Sequence, residues 1–247
     1  MFRMFRIDSS TLRECVDAIL AVVDEARLKI SDEGWKVRAV DPANVALVDL
    51  ELKRDAFDEY NAEGGAEGEK VIGAPFDKLR EVLRFAVGDV SINIDDDKMT
   101  LQSSAYAYTL TLLDPSSLRA EPKIPELEFS TRVVVDADDL KKVLKAAEKI
   151  STTAAIGVQN NVFFVEAEGE METMKFSLHK DELIHLSGSD CRSLFSLEYL
   201  TAMAKGFASA ETLTLFISTD HPLKIEFEIA DGNGKAIYLL APRIEAE

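Results

Sequence analysis

Ile7-Asp8-Ser9-Ser10-Thr11-Leu12-Arg13-Glu14-Cys15-Val16 and Val135-Asp136-Ala137-Asp138-Asp139-Leu140-Lys141-Lys142-Val143-Leu144 follow one pattern written twice. Slid against itself by 128 residues, the offset from Ile7 to Val135, the chain places Leu12 on Leu140 and Val16 on Leu144. The register continues without a gap, with Leu28 on Ile156, Ile30 on Val158, Trp35 on Phe163 and Val37 on Val165. The match is of pattern more than identity, and it reads as one supersecondary unit used twice.

Each copy begins as a strand, a helix and two further strands. The first helix is expected from about Ser9 to Val22, with Leu12, Val16, Ile19 and Val23 at helical spacing and Ser9 or Ser10 as its cap. Leu28-Lys29-Ile30 and Trp35-Lys36-Val37-Arg38 then alternate with the period of half-buried strands. In the second copy the helix spans about Ala137 to Ile150, behind Asp136 as cap. Further on, a helix from about Pro75 to Ala86 matches one from about Leu197 to Phe207. Strands follow at Val90-Ser91-Ile92-Asn93-Ile94 and Leu213-Thr214-Leu215-Phe216-Ile217, and Leu110 to Pro115 and Tyr238 to Pro242 close the copies similarly. The pattern predicts an α+β fold of two similar domains, residues 1–115 and 129–247, each with two helices packed on largely antiparallel sheet. Residues 116–128 fall in an extended linker, because Asp114-Pro115-Ser116-Ser117-Leu118-Arg119-Ala120-Glu121-Pro122-Lys123-Ile124-Pro125 has three prolines and little periodicity. The stretch from Glu63 to Glu69, rich in Gly and Glu, reads as an exposed loop of the first domain.

Composition narrows the function classes. Hydrophobic residues make up 47% and charged residues 30% of the 247, which suits a packed core rather than a disordered chain. No apolar run approaches the roughly 18 residues of a membrane span. Met1-Phe2-Arg3-Met4-Phe5-Arg6 alternates apolar and basic residues, as the start of a strand does, and lacks the apolar core of a secretory signal. Cys15 and Cys191 lie far apart, so two reduced thiols in the cytosol are expected, with Cys15 packed in its amphipathic helix. Neither has the spacing of a metal site. The formal net charge is −17, from 28 basic and 45 acidic residues. Such a balance argues against nucleic acid unless the basic residues share a surface.

The predicted helices are where basic residues do share a face. In the helix near 137–150, Leu140, Val143, Leu144 and Ala147 form the apolar stripe, while Lys142, Lys145 and Lys149, with Lys141 adjacent, project from another face. In the helix near 75–86, Phe76, Leu79 and Leu83 point inward and Arg80 and Arg84 stack one turn apart. Arg13 and Lys205 extend the pattern thinly to the other two helices. The four segments together hold about nine basic and eight acidic residues, so nearly all the net negative charge lies elsewhere. An ordinary solvated helix face is the bland reading, and Glu14, Asp17, Asp77, Glu81 and Glu198 dilute the stripe. Phosphate contact by so mixed a surface is weak, non-specific and salt-sensitive.

The most specific segment is Gly34-Trp35-Lys36-Val37-Arg38-Ala39-Val40-Asp41-Pro42-Ala43-Asn44-Val45-Ala46-Leu47-Val48-Asp49-Leu50-Glu51-Leu52, with Phe57 downstream. A small and an apolar residue precede Asp41, the Asn44-Val45 pair follows it, and strand alternation resumes beyond. This segment resembles the signature of the sliding DNA clamps of the proliferating cell nuclear antigen family. Tyr238-Leu239-Leu240-Ala241-Pro242-Arg243-Ile244-Glu245 is similar to that family's closing strand and tail, and Asp220-His221-Pro222-Leu223 ahead of a strand is a third landmark. All three stand in register with the two-domain repeat, so the resemblance covers essentially the whole chain. A tail ending shortly after Ile244, without a basic localisation cluster, suggests the archaeal type.

The resemblance implies a homotrimeric ring around duplex DNA, with helices lining the hole and sheets outside. Encirclement then replaces affinity, while acidic outer sheets repel DNA from the wrong surface. It implies a processivity factor for DNA polymerase. It also implies a docking platform for the clamp loader and other replication and repair proteins that carry a short clamp-binding motif. Carried over by position, Arg13, Arg80, Arg84, Lys141, Lys142, Lys145, Lys149 and Lys205 would face the duplex. Client peptides would meet Val40, Asn44, Val45 and Leu47 of the signature, Ile124, Pro125, Leu127 and Phe129 of the linker, and Pro222, Leu239, Ala241, Pro242 and Ile244. The physical logic is an apolar cavity for aromatic anchors plus strand addition at linker and tail. Ring closure would pair the strand bearing Tyr106, Tyr108, Leu110 and Leu112 with the strand from Glu172 to His179, which bears Lys175, Phe176 and Leu178. Both alternate, and bare edges of that length invite aggregation. The resemblance implies no catalytic residue, no cofactor, no metal and no membrane partner. It places an archaeal protein in the cytoplasm with the nucleoid and a eukaryotic one in the nucleus.

Two other readings stay open. One is a related subunit that works only in a mixed ring, such as a damage-checkpoint clamp. The more distant one is a small-molecule enzyme. Against it, His179, His185 and His221 have no standard ligand spacing, and Asp95-Asp96-Asp97 reads first as a turn rather than a cation site. Asp231-Gly232-Asn233-Gly234 is a hairpin turn signal, and there is no P-loop, G-x-G-x-x-G or G-x-S-x-G elbow.

Overall fold

The computed structural model describes residues 3–62 and 69–244. Met1-Phe2, the expected loop apart from Glu69, and Glu245 lie outside the described residues. Contacts divide the chain into two compact units. One comprises Met1–Val40, Val48–Pro122 and Glu228–Ala236, and the other Asp41–Leu47, Lys123–Phe227 and Ile237–Glu247.

In chain order the first set of elements is β1 (Arg3–Asp8), α1 (Ser9–Leu20), β2 (Glu25–Ser31), β3 (Gly34–Val40), β4 (Ala46–Lys53), β5 (Glu59–Asn61), β6 (Glu69–Pro75), α2 (Phe76–Leu83), β7 (Asp89–Ile94), β8 (Lys98–Ser103) and β9 (Tyr106–Thr111). The second is β10 (Thr131–Asp136), α3 (Ala137–Ala147), β11 (Thr153–Gln159), β12 (Val162–Glu168), β13 (Thr173–His179), β14 (His185–Gly188), β15 (Cys191–Ser196), α4 (Leu197–Gly206), β16 (Thr212–Ile217), β17 (Leu223–Ile229) and β18 (Gly234–Leu240). The two sets match element for element. Strand order repeats as well: β5-β1-β7-β8-β9 and β4-β3-β2-β6 recur as β14-β10-β16-β17-β18 and β13-β12-β11-β15. The sequence repeat is therefore a repeat of α+β architecture.

Alternation produces the strands. Phe5 and Ile7 of β1 lie opposite Ile92 and Val90 of β7, and all four are buried. Val133 and Val135 of β10 meet Leu215 and Leu213 of β16 in the same way. Side chains of the intervening positions point to the other face, as the two-residue period requires. On the helices Leu12, Val16 and Ile19, then Phe76, Leu79 and Leu83, then Leu140, Leu144 and Ala147, then Leu197, Leu200 and Met203 are buried at helical spacing. α1 packs beside α2, and α3 beside α4.

Local chemistry corrects several helix boundaries. The cap of α1 is Asp8, not Ser9 or Ser10: its Oδ1 accepts from Ser10 N at 2.8 Å and Thr11 N at 3.2 Å. Asp136 caps α3 equivalently, accepting from Asp138 N at 2.8 Å and Asp139 N at 3.3 Å. α1, α2 and α3 end at Leu20, Leu83 and Ala147 rather than at Val22, Ala86 and Ile150. Their last turns tighten into three-residue hydrogen bonds: Val22 N to Ile19 O at 3.0 Å, Ala86 N to Leu83 O at 3.3 Å and Ile150 N to Ala147 O at 2.9 Å. Apolar spacing persists through such turns, which is why periodicity overran the ends. Asp95 N bonds Lys98 O at 2.9 Å, so the triple aspartate closes the β7–β8 turn as expected. Both cysteines are buried free thiols. Among the described residues no helix is long and apolar enough to cross a membrane.

The Asp8 cap has a pH signature. Its carboxyl is held below the ordinary Asp value, chiefly by the Ser10 hydroxyl and then by backbone donors, against an opposing effect of burial. A depressed folded value means the stabilisation is present above the ordinary Asp range and is lost as pH falls through the folded value. Asp8→Ala should cost about 1 kcal/mol at neutral pH. The gap to the parent should close on acidification in urea unfolding at fixed protein concentration. A gap that stays constant down to the folded carboxyl value would remove the charge from the account.

Candidate nucleic-acid and peptide-docking surfaces

The helix cations divide into two groups. Arg13 Nη2 donates to Leu83 O at 2.8 Å and Ala86 O at 3.4 Å, so its charge sits on the carbonyls that end α2. Arg80 pairs with Asp17 of α1. Lys141 Nζ donates to Ala208 O at 2.7 Å, just beyond α4, and pairs with Asp138 at 2.6 Å. These three hold neighbouring helices together, which spends much of their field. Arg84, Lys142, Lys145, Lys149 and Lys205 are instead exposed, and none makes an ion pair among the described residues. Lys149 lies in the turn past α3, not on the helix. Lys78 of α2 is also exposed, but sits between Asp77 at 3.5 Å and Glu81 at 3.6 Å. In the first unit, Arg84 is thus the one exposed cation on or just past a helix that makes no ion pair among the described residues. The second unit has four such cations among the described residues, Lys142, Lys145, Lys149 and Lys205.

A second site is built around the buried side chain of Asp41. Its Oδ1 accepts from Val45 N at 2.7 Å and Ala46 N at 2.8 Å, and its Oδ2 from Ala43 N at 3.1 Å and the Tyr199 hydroxyl at 2.8 Å. Burial pushes this carboxyl up, but the donors from Ala46, Tyr199, Val45 and Ala43 together outweigh it and leave the group below its ordinary value. The bond to Asp41 raises Tyr199 in turn. Asn44 adopts φ 57°, the left-handed conformation that Asn tolerates well. This fixed loop offers the Val45 carbonyl to Ala241 N at 2.9 Å, and the tail continues with Arg243 N on Leu194 O at 2.6 Å.

Loop and tail are thereby brought together, with Leu47 and Leu239 buried beneath and Pro242 half-buried. Phe129 packs 5.7 Å from the Phe216 ring and edge-on to His221 at 5.5 Å, at the Pro222 corner. Leu127 is half-buried, Pro125 and Ile124 are exposed, and Ile244 is 85% exposed. Val40 is half-buried and belongs to the first unit. Sequence reasoning missed Tyr199, because nothing in a helix reveals a partner 158 residues away.

The two alternating strands singled out for pairing, β9 and β13, each stand last in their strand order. Tyr106 is 58% exposed and its ring stacks on Tyr108 at 6.3 Å; Phe85 continues the stack at 6.5 Å. Val87, two residues after Phe85, is 76% exposed. Neither Phe85 nor Val87 belonged to the expected set. Leu110 is half-buried. Leu112 lies past the end of β9, is buried, and bonds Asp97 O through its N–H at 2.8 Å, so its side chain serves the core rather than the edge. On β13, half-buried Phe176 and Leu178 alternate with exposed Lys175, which pairs with Glu166 at 2.5 Å. His179 and His185 are exposed on β13 and β14.

Residues 1–114 match the family model for proliferating cell nuclear antigen, N-terminal domain, and residues 123–243 match that for its C-terminal domain. The chain is 42% identical over 245 residues to the DNA polymerase sliding clamp of Methanococcoides burtonii, covering 98% of each. It is 36% identical over 247 residues to that of Natronomonas pharaonis, again covering 98% of each. A solved structure of A. fulgidus PCNA with the C-terminal region of FEN-1 bound is similar at a TM-score of 0.91 and 34% identity, covering 99% of this chain and 100% of that one. PCNA from Thermococcus kodakaraensis, at 24% identity and a TM-score of 0.86, shares the fold over 98% of this chain and 100% of its own. With a repeated α+β unit, the signature loop and matches along nearly the full length, the chain belongs to the proliferating cell nuclear antigen family.

Proposed function

We propose that this chain is a sliding clamp for DNA polymerase, closing as a homotrimer around duplex DNA and docking client proteins through short motifs. The observation that carries this reading is full-length similarity at 42% identity to a DNA polymerase sliding clamp. Two structural features support it. Exposed cations gather on the helices and the turns that follow them in a chain of net charge −17, and apolar rows flank two terminal strands, β9 and β13. Arg84, Lys142, Lys145, Lys149 and Lys205 make the main DNA-facing set, with Arg13, Arg80 and Lys141 bracing it. Val40, Asn44, Val45, Leu47, Ile124, Pro125, Leu127, Phe129, Pro222, Leu239, Ala241, Pro242 and Ile244 form the client site. Tyr106, Tyr108 and Leu110, joined by Phe85 and Val87, meet Lys175, Phe176 and Leu178 of the next subunit. The protein acts as a non-catalytic scaffold, in the cytoplasm with the nucleoid.

Light scattering over a range of concentrations should give three times the 27.3 kDa chain mass, and Tyr108→Lys should shift it toward one. A parent that stays monomeric at every concentration would move the reading to a mixed ring. Phe129→Ala should weaken binding of a peptide copying the C-terminal region of A. fulgidus FEN-1 by about tenfold, with the trimer mass unchanged. Equal affinity in a folded variant would displace Phe129 from the site. Replacing Arg84, Lys142 and Lys145 together by Gln should reduce loading and flatten the salt dependence of DNA retention without dissolving the ring. Full processivity of that variant at several salt concentrations would refute the inner-face assignment.

A further inference from the structure

Arg27 and Lys29 on β2, with Lys36 and Arg38 on β3, point from the same side of the first unit's sheet, and Lys29 lies directly opposite Lys36. Like charges facing each other across strands are destabilising unless compensated. Part of the compensation comes from β4, where Asp49 takes Arg38 through two bonds of 3.0 Å and Glu51 takes Lys36 at 3.1 Å. The rest comes from the linker. Glu121 pairs with Lys29 and lies 3.5 Å from Arg38, and the Leu118 carbonyl accepts from Arg27 Nη2 at 3.0 Å.

The second copy serves as an internal control. At the repeat offset of 128, Arg27, Lys29, Lys36 and Arg38 become Ala155, Gly157, Phe164 and Glu166. These sit on the matching strands in the same register, with Gly157 opposite Phe164. Neighbouring pairings agree too: Arg27 faces Gly73 on β6, as Ala155 faces Leu194 on β15. Gly73 bridges to Leu113, just ahead of the linker, as Leu194 bridges to Arg243 of the tail. The fold therefore forms without the four cations, and the copy that has them is the one whose face carries the linker.

We infer that Glu121, held by Lys29 and Arg38 with Arg27 on the Leu118 carbonyl, is a latch that fixes the path of the linker and pre-orders Ile124–Phe129 for client peptides. The inference rests on the client-docking reading above. Glu121 stands three residues before Ile124, so fixing it removes conformational freedom from the segment that a peptide must meet. The paired groups are about one-third exposed or less, so salt screens the latch in part.

The test compares the parent with Glu121→Gln, Lys29→Gln and the double variant. The readouts are affinity for the synthetic FEN-1 C-terminal peptide, amide hydrogen exchange over residues 116–129, and mass. Each single change should weaken the peptide by about three- to tenfold and speed exchange in the linker. The double variant should be no worse than the weaker-binding single, since both remove one interaction. The trimer mass should stay constant throughout. Parent-like affinity and exchange in the variants, or tighter binding, would overturn the latch. Should the parent itself fail to bind the peptide, the client-docking reading falls instead. Linker exchange then decides the latch alone: faster in the variants upholds it, unchanged refutes it.

Discussion

Each helix of this protein has one apolar stripe, and that stripe is buried against the neighbouring helix and strands. Leu140, Leu144 and Ala147 of α3 are buried, and burying them is favourable by roughly 25 cal/mol for each Å² removed from water. With those three underneath, Lys142 and Lys145 have no place but the solvent side. The same logic sets Arg84 outward next to buried Leu83, and Lys205 outward two residues after buried Met203. Turning any helix by one position would bury a cation without a partner, at a cost of several kcal/mol. The charged face is thus a by-product of core packing, and it is as well determined as the core.

Periodicity made that core readable in the sequence, and it also shows where reading stopped. The repeat aligned without a gap from Ile7 to Val37 because β1 to β3 and β10 to β12 have matching spacing. Beyond them the offset falls from 128 to 121, the distance from Gly73 to Leu194, which explains why the later correspondence looked blurred. The α1 cap was ambiguous because Asp8-Ser9-Ser10 offers three capping residue types in a row, and only backbone geometry selects Asp8. Pairings across long sequence separations were hidden altogether. Arg13 and Arg80 looked like free cations, yet their partners lie 70 and 63 residues away. Phe85 and Val87 gave no signal because exposure, not spacing, marks them.

Comparison of the two copies separates what the fold requires from what it merely carries. At the repeat offset Asp41 becomes Gly169, whose N–H simply bonds Glu172 O at 2.9 Å across the β12–β13 turn. A clamp unit therefore closes this turn without a buried carboxylate. The Asp41 network of four donors, completed by Tyr199, is an addition to the fold, as are the four cations under the linker. A buried carboxylate left without its donors would be costly, so each donor must be held in place together with it. Both additions bond main chain next to the segments proposed for client docking, and neither has a counterpart in the other copy.

Charge and topology fit together on the same physical grounds. A chain of net charge −17 with five exposed, unpaired cations on or just past its helices among the described residues cannot hold DNA by affinity at cellular ionic strength, where the screening length is about 8 Å. Counterion release from so few contacts yields binding that is weak and easily reversed. For an open protein that would be a defect; inside a closed ring it is what permits movement along the duplex, since each contact breaks readily while encirclement persists. In the proposed ring retention comes from closure, which makes the apolar rows beside β9 and β13, proposed as its edges, the counterpart of the sparse helical charge. Strengthening the helices with more cations would trade sliding for grip. Weakening those proposed edges would lose the DNA however many lysines were added.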